Sequence, residues 1–142
     1  MSLSQLTRVC GSDPLATARQ LRRDVNQQRL ALDCYELGAG EDAVAHYEAA
    51  AVAYELGDSA RLLRSLQESV RIAPFFGDGH FEIGNVLTGL GKTSEAVQAY
   101  RKALKDPRLS DRAMAYNNLG NAMKDKGLVE EAQRCYLTAL QI

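Results

Sequence analysis

Residues Tyr116-Asn-Asn-Leu-Gly-Asn-Ala-Met123, followed by Ala132, Tyr136 and Ala139, decide the fold of this chain. In the first stretch, Tyr, Leu, Gly and Met recur at intervals of 3, 1 and 3 residues, which places them on one stripe of an α-helix. The second set is spaced by 4 and 3 residues and forms another stripe. The segment therefore predicts two consecutive helices that pack along these stripes.

The same pattern occurs twice more, upstream of this segment. A shift of 36 positions reaches the first upstream copy and a further shift of 34 reaches the second, because two additional residues fall in the connection 105–111. A period of about 34 residues with a glycine in the middle is the signature of a helix–turn–helix repeat. The residues that superpose are Ala50, Gly57, Leu66 and Ser69; then Gly84, Gly91, Tyr100 and Ala103; then Gly120, Gly127, Tyr136 and Ala139.

The pattern resembles the tetratricopeptide repeat family. Its other well-matched copy is His80-Phe-Glu-Ile-Gly-Asn-Val-Leu87 with Ala96, Tyr100 and Ala103, and the resemblance covers roughly the last hundred residues. It implies an all-α fold, a right-handed α-α superhelix of three helix pairs within 41–142, at about 43–76, 77–112 and 113–142.

The N-terminal part predicts a capping helix over 12–40. Ser12-Asp13-Pro14 is typical of a helix start, with proline at the first helical position, and apolar spacing continues to Gly38. A helix of about 24 residues is long for a repeat unit, and a break within it is an alternative. Residues 1–11 are expected to be a disordered tail.

Seven helices are predicted in total, at about 14–37, 41–55, 59–72, 77–89, 93–105, 111–125 and 129–142. The helix at 41–55 also fits as the second member of a pair with the helix before it. That frame would bury Arg64 and Glu68, so we pair 41–55 with 59–72.

Glycines inside the helices require a packing reason, because each costs about 0.8–1.0 kcal/mol relative to alanine. We expect Gly84 to face Ala96, and Gly120 to face Ala132, with the tyrosine of the second helix filling the space beside them. Glycines also close the turn after each first helix in a left-handed conformation, and prolines follow two second helices. The turn glycines are Gly57, Gly91 and Gly127, and the prolines are Pro74 and Pro107.

Composition excludes several classes of protein. The chain has 17 Lys+Arg against 18 Asp+Glu, a net charge of −1 and a pI near 6.1, which excludes the broadly basic surface of a nucleic-acid-binding protein. The 46% hydrophobic and 25% charged residues exclude disorder, and no apolar run could cross a membrane. Three cysteines without a CxxC motif indicate neither a disulfide framework nor a zinc site. We therefore expect an intracellular location, in the cytoplasm or nucleus, since the start does not resemble a signal peptide.

Sites that resemble catalytic chemistry are explained by the repeat. Gly89-Leu-Gly-Lys-Thr93 lacks the first P-loop glycine, because that position is Val86. His46 and His80 lie one repeat period apart and fill the same repeat position, where a packing role is favoured over a metal site. Cys135 has no histidine near it in sequence. We expect no enzyme activity, cofactor or metal.

The basic stretch with Arg19, Arg22, Arg23 and Arg29 is interpreted as a solvated face, or alternatively as a site for an acidic partner.

One set of residues predicts binding. In arrays of this kind the first helix of each pair lines the concave groove, and its side chains off the packing stripe point into that groove. Asparagine both donates to and accepts from a peptide bond, so a row of asparagines can hold an extended chain. The alternative is that these asparagines merely suit exposed helix positions. The predicted groove residues are Tyr47, Glu48, Phe81, Glu82, Asn85, Asn117, Asn118, Asn121 and Lys124.

Two groups within the family differ at these positions. Co-chaperone members grip a terminal carboxylate with cations, whereas the matching positions here include Tyr47, Glu82 and Asn118. The last copy is similar to the arrays of O-linked N-acetylglucosamine transferases, whose grooves carry an asparagine ladder. Only Asn118 fills the ladder position, and Glu48 and Glu82 replace it elsewhere.

The sequence therefore predicts a non-catalytic scaffold that binds a protein or peptide partner in its groove. One alternative is a substrate-recruiting fragment of a larger enzyme, such as a glycosyltransferase of the kind named above. Another is a self-assembling array, because apolar side chains with part of Met123 would be left at the edge of the last copy. We expect either a longer array or self-association through Leu137, Leu140 and Ile142.

Overall fold

A computed structural model describes residues 1–21 and 24–142, and these fold entirely as α-helices and short connections. The chain divides into two compact units, Met1–Ala73 and Pro74–Ile142, each described here by itself. Among the described residues, no helix is both long and apolar enough to span a membrane. The helices are α1 Leu3–Cys10, α2 Pro14–Gln20, α3 Val25–Gly38, α4 Ala43–Leu56, α5 Ser59–Ile72, α6 Gly77–Gly89, α7 Thr93–Leu104, α8 Arg112–Asp125 and α9 Val129–Leu140.

The second unit contains two helix pairs. Helix α6 packs against α7 and α8 packs against α9, while α7 also packs against α8 and joins the pairs into one core. Met123 lies in this core with 3% of its surface exposed, so the expectation that it lies partly at an edge is wrong. The buried members of the core are Ala96, Val97, Tyr100, Leu119, Ala122, Met123 and Ala132.

A left-handed glycine lies in each of the turns α4–α5, α6–α7 and α8–α9, as predicted. Gly57, Gly91 and Gly127 have φ angles of 72°, 74° and 78°, a conformation that residues with a Cβ rarely adopt. Glycine therefore recurs at this position because the turn requires a left-handed backbone conformation.

The glycines inside α6 and α8 lie against tyrosine rings. A Cβ atom added at Gly84 would be 2.5 Å from Cε1 of Tyr100, and one added at Gly120 would be 2.7 Å from Cε1 of Tyr136. In each case the three nearest atoms belong to the ring. We expected these glycines to face alanines, and the structure corrects this. The tyrosine ring itself occupies the space that a side chain at each glycine would fill.

The connection between α7 and α8 holds the start of α6. Asp106 accepts hydrogen bonds from the backbone N–H groups of Gly77, at 2.8 Å, and Arg108, at 2.9 Å. The bonds from Arg108 and Gly77 lower the pKa of the Asp106 carboxyl group. A Cβ atom at Gly77 would be 2.6 Å from Cβ of Asp106, so a glycine is needed for this approach.

The first unit begins with a helix, which corrects the prediction of a disordered tail at 1–11. In α1, the side chain of Ser2 accepts a bond from the backbone of Gln5, whose side chain accepts one from Ser2 in return. This capping box satisfies the first backbone donors of the helix. Leu6 then packs against a core that includes Cys10. The Ser-x-x-Gln spacing was the available sequence signal.

The predicted capping helix is broken into two helices, which is the alternative that its length suggested. Helix α2 ends before Leu21, and Asp24 caps a new helix by accepting a bond from the backbone N–H of Gln27. Helices α2 and α3 pack against each other. The bounds of α3 and α5 differ by one repeat period at both ends, so α2 and α3 occupy the place of a further helix pair before α4 and α5.

A disulfide bond joins α1 to α3, which corrects the prediction that the cysteines are unpaired. Cys10 and Cys34 are bonded, their Cα atoms are 5.7 Å apart and both side chains are fully buried. Neither the odd count nor the absence of CxxC could reveal this pair, because the packing of α1 brings together residues 24 positions apart. Cys135 is a half-buried thiol, and burial raises its pKa.

Candidate partner-binding surface

The first helices of the two pairs in the second unit, α6 and α8, contact each other. Four of the predicted groove residues, on both helices, form hydrogen bonds within this unit, and the others lie beside them. We call this set the α6–α8 surface. It consists of Phe81, Glu82 and Asn85 from α6 and Asn117, Asn118, Asn121 and Lys124 from α8.

Asn85 is at the centre of this surface. Its Oδ1 accepts a hydrogen bond from the hydroxyl group of Tyr100, at 2.8 Å, and another from Nδ2 of Asn118, at 3.0 Å. These two donors use both acceptor positions of the amide oxygen. Asn85 is therefore held in place by α7 and α8, and it links one repeat to the next. Burial raises the pKa of Tyr100.

Glu82 lies beside this amide pair and is half-buried. From the residues that the structure describes, its carboxylate accepts one hydrogen bond, a long one of 3.4 Å from Nδ2 of Asn85. Burial raises the pKa of Glu82, and the negative charge of Asp78 raises it further. Among the residues that the structure describes, no cation forms an ion pair with Glu82.

The second repeat reproduces part of this arrangement. The hydroxyl group of Tyr136 donates to Oδ1 of Asn121 at 2.6 Å, as Tyr100 does to Asn85. Asn117 and Lys124 are exposed. Within the described part of the chain, neither of these two side chains makes a hydrogen bond, so both can contact a partner.

Phe81 has a mainly internal role. Its ring centroid is 6.0 Å from that of Tyr100 at an interplanar angle of 52°, and the side chain packs against the core. Only the part of this side chain that remains exposed can give a partner apolar contact.

The remaining two predicted groove residues, Tyr47 and Glu48, lie in the first unit. The guanidinium group of Arg19 donates to both carboxylate oxygens of Glu48, at 2.8 and 3.0 Å, and the hydroxyl group of Tyr35 donates at 2.8 Å. These contacts raise the pKa of Arg19, chiefly through the hydrogen bond to Glu48. Glu48 therefore stabilises the first unit, while Tyr47 is half-buried on the same helix.

The two histidines have a shared structural role that sequence reasoning missed. Nε2 of His46 is 2.9 Å from the carbonyl oxygen of Gly40, and Nε2 of His80 is 2.7 Å from that of Pro74. In both cases the carbonyl lies six residues earlier in the chain, so each ring joins a helix to the connection that precedes it. In the basic stretch, Arg19 forms the ion pair described above and Arg29 is exposed, whereas Arg22 and Arg23 lie outside the described residues.

Helix α9 and the residues after it present an exposed apolar edge. Leu137, Leu140 and Ile142 are 58%, 83% and 64% exposed. These are the residues that the sequence predicted at an uncovered edge.

Comparisons with known proteins agree with the helix pairs. Residues 78–105 match one family model described as a tetratricopeptide repeat, and residues 112–142 match a second one. A crystal structure of MamA superposes with a TM-score of 0.76 at 21% identity, covering 96% of this chain and 83% of that chain. Another MamA crystal structure gives 0.75 at 21% identity, covering 90% and 70%. At this identity the likeness shows the fold, and no curated protein sequence matches the chain.

Proposed function

We propose that this chain, in which residues 78–105 and 112–142 match tetratricopeptide repeat models, is a non-catalytic scaffold that binds a partner peptide on the α6–α8 surface. Repeat proteins of stacked helices commonly use the extended face formed by successive repeats for binding. The observation that carries the proposal is the set of unused polar groups on Asn117, Asn118 and Lys124, beside amides that are already held in place.

The polar groups suit a peptide backbone. Asn117 supplies both a donor and an acceptor, and Asn118 retains the acceptor positions of its oxygen after donating to Asn85. Because Asn85 is fixed by two bonds, a peptide that contacts Asn118 does not have to order it, which lowers the entropic cost of binding. The function requires no cofactor, metal or turnover.

The test is selection of peptides from a random display library against the whole chain. The variant Asn117→Ala/Lys124→Ala removes two exposed side chains without breaking a bond of the fold. We expect selected peptides to lose at least about tenfold in affinity for it, as for loss of one or two hydrogen bonds to a charged or amide group.

The matched control is Gln133→Ala on α9, an exposed residue away from this surface. Selected peptides should bind this control as tightly as the parent chain. Selection that yields no binding peptide, or peptides equally sensitive to both variants, would contradict the proposal.

The exposed edge of α9 favours a second function, self-association. Three apolar side chains, Leu137, Leu140 and Ile142, are each more than half exposed there. A contiguous exposed apolar patch is typical of a protein–protein contact. We expect concentration-dependent light scattering to detect a dimer or larger assembly, and Leu140→Glu to shift it to monomer. A parent chain that stays monomeric at high concentration would exclude this function.

A further inference from the structure

We infer, resting on the function proposed above, that the α6–α8 surface binds an arginine side chain of its partner at Glu82 and Asn118. The ligand class is a guanidinium group carried by a peptide.

Glu82 has a counterpart in the same molecule, Glu48. The two residues are one repeat period apart and fill the same repeat position on α6 and α4. At Glu48 this position already holds a guanidinium group, because Arg19 donates two hydrogen bonds to the carboxylate at 2.8 and 3.0 Å. The chain therefore contains an example of the contact that we infer at Glu82.

The sequence has no arginine one repeat period after Arg19. The residue one repeat period after Arg19 is Ala53, which has no charge and is buried. The residue one repeat period after Tyr35, which also donates to Glu48, is Ser69, and its hydroxyl group donates to the carbonyl oxygen of Ala43. Glu82 thus shares the repeat position of Glu48, whereas the residues one period after the two donors to Glu48 carry neither a guanidinium nor a phenol group.

Hydrogen-bond acceptors outnumber donors around Glu82 and Asn118. The carboxylate of Glu82 receives one hydrogen bond, at 3.4 Å, although it can accept about four. Oδ1 of Asn118 receives none from the residues that the structure describes. The oxygen of Asn85 is already fully used. A surplus of acceptors at a half-buried anion is matched by guanidinium, which has five donors and no acceptor.

Arginine is favoured over lysine because of the shape of the site. A planar fork of N–H groups can bond the carboxylate of Glu82 and the amide oxygen of Asn118 together, whereas an ammonium group acts as a point charge. Phe81 and the half-buried surroundings of Glu82 strengthen the interaction, because a charge pair in a less polar environment is less screened by water.

The experiment uses two synthetic probes, acetyl-Gly-Gly-Arg-Gly-Gly-amide and the same peptide with citrulline, which has nearly the same shape but no charge. The side-chain amide resonances of Asn85 and Asn118 in the whole chain report binding. We expect saturable shifts with the arginine peptide and a dissociation constant at least about tenfold higher for the citrulline peptide.

Three variants make the result specific. Glu82→Gln should weaken binding of the arginine peptide about tenfold or more, and Asn118→Ala should weaken it less. Glu130→Gln, an exposed residue on α9, should leave the affinity unchanged. The thermal unfolding midpoint of Glu82→Gln should equal or exceed that of the parent, which separates lost binding from lost folding.

Equal affinity for both probes, no shift with either, or an unchanged affinity in Glu82→Gln would overturn the inference. Display selection separates this failure from failure of the proposed function. Selected peptides that lack arginine, tolerate Glu82→Gln and depend on Asn117 and Lys124 would contradict the inference and support the function. If the arginine peptide binds but selection yields no binding peptide, the proposed function is contradicted. Binding of a guanidinium group at Glu82 and Asn118 is then still supported.

Discussion

Tyr100 and Tyr136 each connect a buried glycine to a surface asparagine. The ring of Tyr100 lies where a side chain at Gly84 would be, and its hydroxyl group donates to Asn85 on the same helix as that glycine. One residue therefore fills the contact between two helices and orients a polar group beside the proposed site.

Substituting Gly84 by alanine tests this contact. The new Cβ atom would lie 2.5 Å from the ring of Tyr100, so the helices must separate or the ring must move. We expect Gly84→Ala to lower the free energy of unfolding by about 1–3 kcal/mol in urea denaturation, despite the better helix propensity of alanine. Gly89→Ala is the matched control, because nothing lies within 4 Å of its Cβ, and it should be neutral or slightly stabilising. Equal stability of both variants would contradict the packing argument.

The raised pKa of Glu82 leads to a prediction about how the free energy of unfolding depends on pH. Its pKa is raised in the folded chain because burial disfavours the charged carboxylate. The charged form therefore opposes folding at neutral pH, and this penalty disappears as pH falls through the folded pKa. We expect Glu82→Gln to be at least as stable as the parent at pH 7, with the difference shrinking in acid. Urea denaturation at several pH values measures it, and a variant less stable than the parent at pH 7 would contradict the sign.

At the scale of elements, the sequence predicts the helices from α4 onward well and those before it poorly. Periodicity and the turn glycines placed α4 to α9 within about two residues of their observed bounds. The sequence allowed a break in the N-terminal helix but did not indicate a helix pair there, because position 23, which corresponds to the turn glycine Gly57, is an arginine. Helix α1 was missed because a short helix at a terminus depends on packing and on its cap.

The residues of the candidate site were chosen from the sequence, which did not show how they are hydrogen-bonded. Helical spacing placed the asparagines on the faces of α6 and α8. It could not show that Asn85 is bonded to Tyr100 and Asn118, because this depends on how α7 rotates against both helices. Glu48 and Glu82 also occupy equivalent positions in the sequence repeat. Their different hydrogen-bond partners became visible only in the structure.

The contact between the α7–α8 connection and α6 gives a prediction about acid stability. The pKa of Asp106 is lowered by the backbone N–H groups of Arg108 and Gly77, so its ionised form stabilises the fold. This contribution is present above the unfolded pKa and is lost as pH falls through the lower folded pKa. We expect Asp106→Ala to cost about 1 kcal/mol at pH 7, as for loss of a helix N-cap, and little at strongly acidic pH.

Asp125→Ala is the control for this prediction, since the side chain of Asp125 is exposed and makes no hydrogen bond within the described residues. Hydrogen exchange of the first amides of α6 gives a local readout. Unchanged exchange in Asp106→Ala would contradict the proposed role of the connection.

At the scale of the molecule, the disulfide bond makes the stability of the first unit depend on redox conditions. The bond closes a loop across a separation of 24 residues, for which chain entropy gives a stabilisation of about 3.5 kcal/mol. We expect reduction to lower the protection of amides in α2 and α3 against hydrogen exchange. In Cys10→Ala/Cys34→Ala the reductant should cause no further change, and a parent chain that does not respond to reductant would contradict the prediction.

The same bond has a consequence for how the chain behaves when it is cut. Any single peptide cleavage between Cys10 and Cys34 leaves the two pieces covalently joined, so the product differs from the intact chain only by the mass of one water. A thiol reductant then releases a short N-terminal peptide. Mass spectrometry of a limited digest, with and without reductant, can therefore report whether the pairing is present in the protein that was digested.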